Sequence, residues 1–150
     1  MKKPSLYYKT PEASTGFLLW KATQLWQRGV KHALDEYKLT HSQFVTLASI
    51  LSLREKNEEV TQSMLSSHTR MDAMTVSIVM RTLQRKKLIK RSKHSFDTRA
   101  KSIELTAQGE KVCTAAISKV ERFDKDFFEM NAKTSRDFND RLLQMVSQLN

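Results

Sequence analysis

After Pro11 the chain contains no proline: Pro4 and Pro11 are the only two in 150 residues, and there are only three glycines, Gly16, Gly29 and Gly109. Proline interrupts a helix by deleting an amide donor, and glycine by the backbone entropy it forfeits. With both so scarce, only side-chain chemistry is left to stop helices, and a mainly α fold follows. At 39% hydrophobic and 28% charged, 150 residues can bury a core of ordinary size.

The helix boundaries are marked by polar side chains. A first helix is expected over about 12–38, where Leu19, Trp26, Val30, Ala33, Leu34 and Tyr37 keep a three-to-four spacing. In LTHSQF, Thr40 and Gln43 fit a capping box, and Leu39 with Phe44 fits the hydrophobic staple around it; that helix should run to about Arg54. After the polar EKNEE, Thr61 can cap a short helix holding Met64 and Leu65. A turn near His68 to Met71 follows, and Asp72 can cap AMTVSIVMRTLQRK. Two such helices around a tight turn form a helix-turn-helix candidate.

At 100° per residue the second of these helices divides in two. Val76, Val79, Met80 and Leu83 share one apolar sector, the core stripe. Opposite lie Met74, Ile78, Arg81, Thr82 and Arg85, flanked by Thr75 and Ser77. Arginines, small hydroxyls and two apolar groups suit neither a core nor an ordinary water face. They do suit a major groove, which offers phosphates, base edges and thymine methyls. The blander reading is that Met74 and Ile78 pack on a neighbouring helix.

Beyond Leu88-Ile89, KRSKHSFDTRAKSIELT reads as two short strands, with the alternating Ser102 to Leu105 as a half-buried second strand and Ser95 to Ala100 as the tip. A hairpin directly after a helix-turn-helix is a wing. Arg99 near its tip is suited to a narrow minor groove, and Asp97 is placed to accept from the Arg99 guanidinium and fix its fork. From Arg81 to Lys101 there are nine cations and one acid, so 21 residues hold eight of the chain's ten net positive charges. A charge run is ordinarily a solvated face; here the rest of the chain is close to neutral, which favours a polyanionic partner.

Thr106 should open a long helix to about residue 130, with Val112, Ala116, Val120, Phe123, Phe127 and Met130 in one stripe. A last helix is expected after Thr134, with Asp137 supporting the cap, and carries Phe138, Leu142, Met145, Val146 and Leu149. Apolar faces this long suggest burial against a second copy, and a homodimer reads two half-sites of a duplex.

Taken in order, LTHSQFVTLASI, VTQSMLSS, MTVSIVMRTLQRKKLIKR and FDTRAKSIELTAQGEKV resemble the signature segments of the MarR family of winged-helix transcriptional regulators, over roughly residues 12–130. The most specific part is the Asp-x-Arg-Ala wing followed by Leu-Thr and Gly109. The resemblance implies a homodimer with interlocked terminal helices, straddling a pseudo-palindromic operator in double-stranded DNA. Many such proteins release DNA when a small lipophilic or phenolic effector binds, or when a cysteine is oxidised. Carried over by position, the recognition helix is about 72–86. Its DNA-binding candidates are Met74, Thr75, Ser77, Ile78, Arg81 and Arg85, with Lys93, Asp97 and Arg99 on the wing. Phe17, Trp20, His41 and Phe44 are candidates for an effector pocket, or else core and dimer-interface groups. One departure concerns Lys87, which stands where the family usually has glycine in a left-handed conformation.

The expected organisation is an N-terminal arm and dimerisation helix over 1–38, a winged helix-turn-helix lobe over 39–106, and C-terminal dimerisation helices over 107–150. His32, His41, His68 and His94 are scattered without ligand spacing, so no metal and no cofactor are expected. No phosphate loop, nucleophile elbow or paired-carboxylate motif occurs, so catalysis has no constellation. Cys113 reads as a buried, inert thiol. A single cysteine excludes an intramolecular disulfide, and the start lacks an apolar signal segment, which together point to a cytoplasmic protein without a membrane span. The functional alternatives are DNA binding without effector control, a basic adaptor for an acidic protein, and a nucleic-acid enzyme.

Overall fold

The computed structural model describes residues 10–56 and 59–148. Six α-helices and a two-stranded antiparallel hairpin follow one another as α1 (Thr15–Leu34), α2 (His41–Arg54), α3 (Gln62–Thr69), α4 (Ala73–Arg85), β1 (Ile89–Lys93), β2 (Lys101–Leu105), α5 (Ala107–Phe128) and α6 (Ala132–Ser147). The mainly α class is the one expected from the scarcity of proline and glycine, and the hairpin lies where the 88–106 pattern places a wing.

The caps act as the sequence suggests. Thr40 Oγ1 accepts from the Gln43 amide at 3.2 Å while Gln43 Oε1 accepts from the Thr40 amide at 3.3 Å, closing both halves of the capping box. Thr61 accepts from the Met64 amide, Asp72 from the Thr75 amide, and Thr106 from the Gly109 amide. The first helix is shorter than the expected 12–38. Pro11–Ala13 forms a separate 3-10 turn, and Ser14 caps α1 by accepting from the Phe17 amide. At its other end Asp35–Tyr37 tightens to 3-10 and Lys38 turns left-handed at φ 53°. The Leu39 amide then reaches the Leu34 carbonyl and the Lys38 amide that of Asp35, a Schellman closure. The last helix also differs. Its cap is Asn131, whose Oδ1 accepts from the Lys133 and Thr134 amides, so α6 starts before Thr134. The preceding left-handed Glu129, at φ 44°, is what ends α5 at Phe128.

The core is one continuous cluster. It takes Val30 and Leu34 from α1, Leu47 and Ile50 from α2, Leu65 from α3, Val76, Val79, Met80 and Leu83 from α4, Ile103 from β2, and Cys113, Ala116 and Val120 from α5. Polar ties fasten the helices around it. Trp26 Nε1 donates to Asp124 at 2.7 Å, joining α1 to α5, and Arg54 forks onto Glu110 at 2.8 and 2.9 Å, joining α2 to α5. Gly29 lies against Phe123, whose ring atoms come within 2.1 Å of where a Cβ would be. None of α6 is buried.

The second strand departs from the expected alternation. Ser102 and Ile103 are both buried, because Val60, just ahead of α3, forms a bridge to Ile103 on the edge away from β1. The Ile103 amide donates to the Val60 carbonyl at 2.8 Å. At that point β2 is the middle strand of three, which covers a position a plain hairpin would leave wet.

Candidate nucleic-acid interface

The helix-turn-helix is closed by its own hydroxyls. In the turn after α3, Arg70 is left-handed at φ 60°, Ser66 Oγ donates to the Met71 carbonyl at 2.7 Å, and Thr69 Oγ1 donates to the Leu65 carbonyl at 2.7 Å. Asp72 then receives both the Thr75 amide, at 2.9 Å, and the Thr75 hydroxyl, at 2.6 Å. These hydrogen bonds hold the Asp72 carboxyl below its ordinary range. They also consume the only proton Thr75 Oγ1 has, so toward a base Thr75 can only accept.

Downstream, α4 buries Val76, Val79, Met80 and Leu83 and leaves its opposite side open. Met74 is 74% exposed and Ile78 54% exposed. Thr75, Ser77 and Thr82 are half-buried, while Arg81 and Arg85 are exposed. The arginines make only weak contacts within their own helix, Arg81 Nε to the Ser77 carbonyl at 3.4 Å and Arg85 Nη2 to Thr82 Oγ1 at 3.3 Å. Among the described residues neither has an acidic partner. The packing alternative for Met74 and Ile78 is therefore not realised among the described residues.

Past α4 the backbone turns on Lys87, left-handed at φ 58°, with the Leu88 amide on the Leu83 carbonyl and the Lys87 amide on that of Gln84. This is again a Schellman closure, with lysine at the position that favours glycine. The Leu88 carbonyl lies 1.8 Å from the site of a Cβ on Gly109, so the root of the wing and the start of α5 meet at a distance only glycine allows.

The register of the hairpin sorts its charges. Lys90 faces Glu104 and pairs with it at 2.8 Å, but at the far end Lys93 faces Lys101, both exposed. Like charges directly opposite on a ladder repel unless an anion lies between them. Two other cations of the basic run serve the fold: Lys86 Nζ donates to the Lys38 carbonyl and to Gln43 Oε1, and Arg91 donates to Gln62 Oε1 at 2.7 Å. Asp97 does not hold the Arg99 guanidinium, as the sequence suggested. Its carboxylate accepts the Arg99 backbone amide at 2.9 Å, and its carbonyl accepts the Ala100 amide at 3.1 Å. At a two-residue spacing the main-chain amide is the nearer donor. The Arg99 side chain is left free of acids among the described residues.

Sequence reasoning missed the brace under the tip. His94 Nδ1 accepts from both the Phe96 amide, at 3.2 Å, and the Asp97 amide, at 3.1 Å. Two converging N–H groups leave no proton on that nitrogen, so Nε2 carries it and faces Glu59 at 3.4 Å. Glu59 also receives the Ser95 amide with both oxygens. Glu59 stands in a run of polar loop residues, and nothing in its spacing announces this role.

The four pocket candidates are not brought together. His41 lines a groove of about 800 Å³ with Gln27, Lys31, Lys38, Val45 and Met71. Neither Phe17, Trp20 nor Phe44 lines it. Phe17 and Trp20 stack on each other, ring centroids 6.3 Å apart, and Trp20 is 60% exposed. Phe44 packs against the core. The His41 ring meets Trp26 edge-on, and burial lowers its pKa, opposed in part by Asp124. Cys113 is buried, and desolvation pushes its thiol up to about 11. No group of side chains suited to a metal ion occurs among the described residues, and no helix there is long and apolar enough to cross a membrane.

Comparison with known proteins agrees with this architecture. Residues 35–123 match the family model of the ArnR1-like winged-helix domain. An HTH-type transcriptional regulator of Bacillus subtilis (strain 168), YdcH, is 46% identical over 121 residues, covering 81% of this chain and 82% of its own. The chain belongs to the MarR family of winged-helix transcriptional regulators. This MarR-family regulator also shares its fold with a mutant MarR from E. coli complexed with operator DNA, at TM-score 0.75, 21% identity, 87% coverage of this chain and 91% of the other. CouR from Rhodococcus jostii RHA1, bound to p-coumaroyl-CoA, superposes at TM-score 0.80, with 21% identity and coverages of 93% and 95%. The winged-helix domain and the HTH-type relative together make this chain a winged-helix transcriptional regulator.

Proposed function

We propose that the regulator is a homodimeric repressor that reads a pseudo-palindromic operator, with α4 in the major groove and the wing against the neighbouring minor groove. The outward face of α4 carries this reading. A helix that spends one side on the core while keeping Met74 and Ile78 exposed beside two acid-free arginines is poised for bases and phosphates. Met74 and Ile78 meet thymine methyls, Thr75 and Ser77 meet base edges, and Arg81 and Arg85 meet guanine or phosphate. On the wing Lys93 and Arg99 supply cations, and Asp97 shapes the turn that presents Arg99.

Binding measured by anisotropy across a salt series tests this. With about 6–10 phosphates neutralised per dimer, log K falls against log[salt] by about 0.9 per phosphate. Arg81→Ala costs about 1–3 kcal/mol and relaxes preference at one base pair if it reads a base. An affinity indifferent to salt would defeat the proposal.

For control by an effector, the groove beside His41 is the better candidate than the four residues first singled out. Lys31 and Lys38 offer positive charge that the groove's one acid, Asp35, offsets only in part, and Val45 and Met71 offer apolar wall, which suits a small lipophilic or phenolic anion. The dispersal of Phe17, Trp20 and Phe44 favours a second reading, constitutive DNA binding. Titrating the operator complex with such anions separates the two: release supports control through the groove, and an unmoved complex supports the constitutive reading.

A further inference from the structure

The residue at the wing tip with no function inside the fold is Phe96. It is 88% exposed, more than any other large hydrophobic side chain among the described residues. Its backbone is not loose. The Phe96 and Asp97 amides end on His94 Nδ1, the Ser95 amide on Glu59, the Arg99 amide on the Asp97 carboxylate and the Ala100 amide on the Asp97 carbonyl. Five amides in a six-residue tip are thus satisfied internally, and the His94 ring stands edge-on beside the phenyl at 6.5 Å. The tip is held in one shape, and that shape extends an aromatic ring into solvent. On the same hairpin Lys93, Lys101 and Arg99 are cations with no acid partner among the described residues, and the one acid of the tip, Asp97, spends its carboxylate on the Arg99 amide. A protein-protein contact would be expected to surround such a ring with further apolar surface. This ring stands alone on a hairpin whose net charge is positive.

We infer that Phe96 is a wedge: it enters the minor groove beside Arg99 and levers apart a flexible base step, so that part of the operator preference comes from how easily the DNA deforms. This rests on the DNA-binding reading above. Apolar side chains inserted from the minor-groove side partly unstack a step and kink the duplex, and pyrimidine-purine steps such as T-A yield most readily. The internal hydrogen bonds matter because a wedge on a slack loop would fold back on binding instead of transmitting force.

The experiment uses the full chain and an alternating A·T duplex of about 30 base pairs with 2-aminopurine at selected T-A steps, whose fluorescence rises on unstacking. End-label anisotropy reports binding separately. Wild-type protein at saturation should brighten the probe. Phe96→Ala should saturate the duplex with an affinity lower by about tenfold, a typical loss for one aromatic–base contact, and leave the probe dark. Phe96→Lys should bind at least as tightly as Phe96→Ala at low salt, through charge, and also leave it dark, while Phe96→Trp should keep the brightening. Brightening by Phe96→Ala equal to wild type, or a wild-type complex that saturates without brightening, overturns the wedge. Failure of wild-type protein to bind any duplex overturns the DNA-binding reading itself, and is told apart by the anisotropy channel.

Discussion

Lys87 sits at φ 58°, in a region where a Cβ meets the neighbouring carbonyl and only glycine is at ease. The conformation is imposed by the Schellman closure of α4, so Lys87→Gly should raise stability by on the order of 1 kcal/mol, read as a higher Tm. The same change removes an exposed cation beside the recognition helix, and the salt slope of DNA binding should become shallower by up to about 0.9. An unaltered slope would show that Lys87 makes no phosphate contact. His41 gives a prediction in pH. Burial lowers its folded pKa below that of the unfolded chain, so the unfolded state holds more protons between the two values. Stability should therefore fall as pH drops below the unfolded value of 6.5, and His41→Gln should flatten that part of the Tm profile. Several single residues were legible from the sequence alone. Thr40, Thr61, Asp72 and Thr106 announce their caps because a cap depends on residues three apart. The partners of Lys86 and Arg91 were not legible, since they lie 43 and 29 positions away and only the assembled fold brings them near.

Among the elements, α4 was the most readable and the wing the least. Four core positions at helical spacing leave no freedom in which face turns inward, and the outward set follows automatically. The wing's two strands were evident, but Ser102 was misjudged because its burial depends on Val60, outside the hairpin, and α6 was started too late because Asn131 caps more strongly than Thr134. Two of the five amides that fix the wing tip end on one imidazole. His94→Ala should leave the helical core intact, with Tm changing little. It should speed hydrogen exchange at Phe96 and Asp97 and weaken DNA binding, because the tip must then be ordered at the moment of association. If exchange there stays slow in the variant, the brace lies elsewhere.

Over the whole molecule, burial is uneven. The lobe formed by α2 to β2, together with the second half of α1 and the first half of α5, is packed. Ahead of Trp26, α1 exposes Leu18, Leu19, Trp20 and Leu25, and α6 exposes Leu143, Met145 and Val146. Surfaces this apolar are covered in a stable protein, and a second copy of the chain is the covering we propose. Leu143→Glu combined with Val146→Glu should shift sedimentation toward the monomer and make Tm fall with dilution; a species unchanged in size would remove α6 from the interface. Met145 and Val146 belong to the α6 stripe legible in the sequence, but Leu18, Leu25 and Leu143 lie off the stripes read there, and a periodicity records that a face is covered and not by what.

The stitching of the wing to the segment that opens α3 has one more consequence. Val60 binds Ile103, Glu59 holds Ser95 and Gln62 holds Arg91, so the hairpin cannot swing separately from the two helices before it. Once docked on a duplex, such a body acts as a calliper with its jaws set, spanning a fixed arc from one groove to the next. In the docking proposed above, DNA over- or underwound by supercoiling offers those grooves at another arc, and affinity for a plasmid-borne operator should change between relaxed and supercoiled topoisomers.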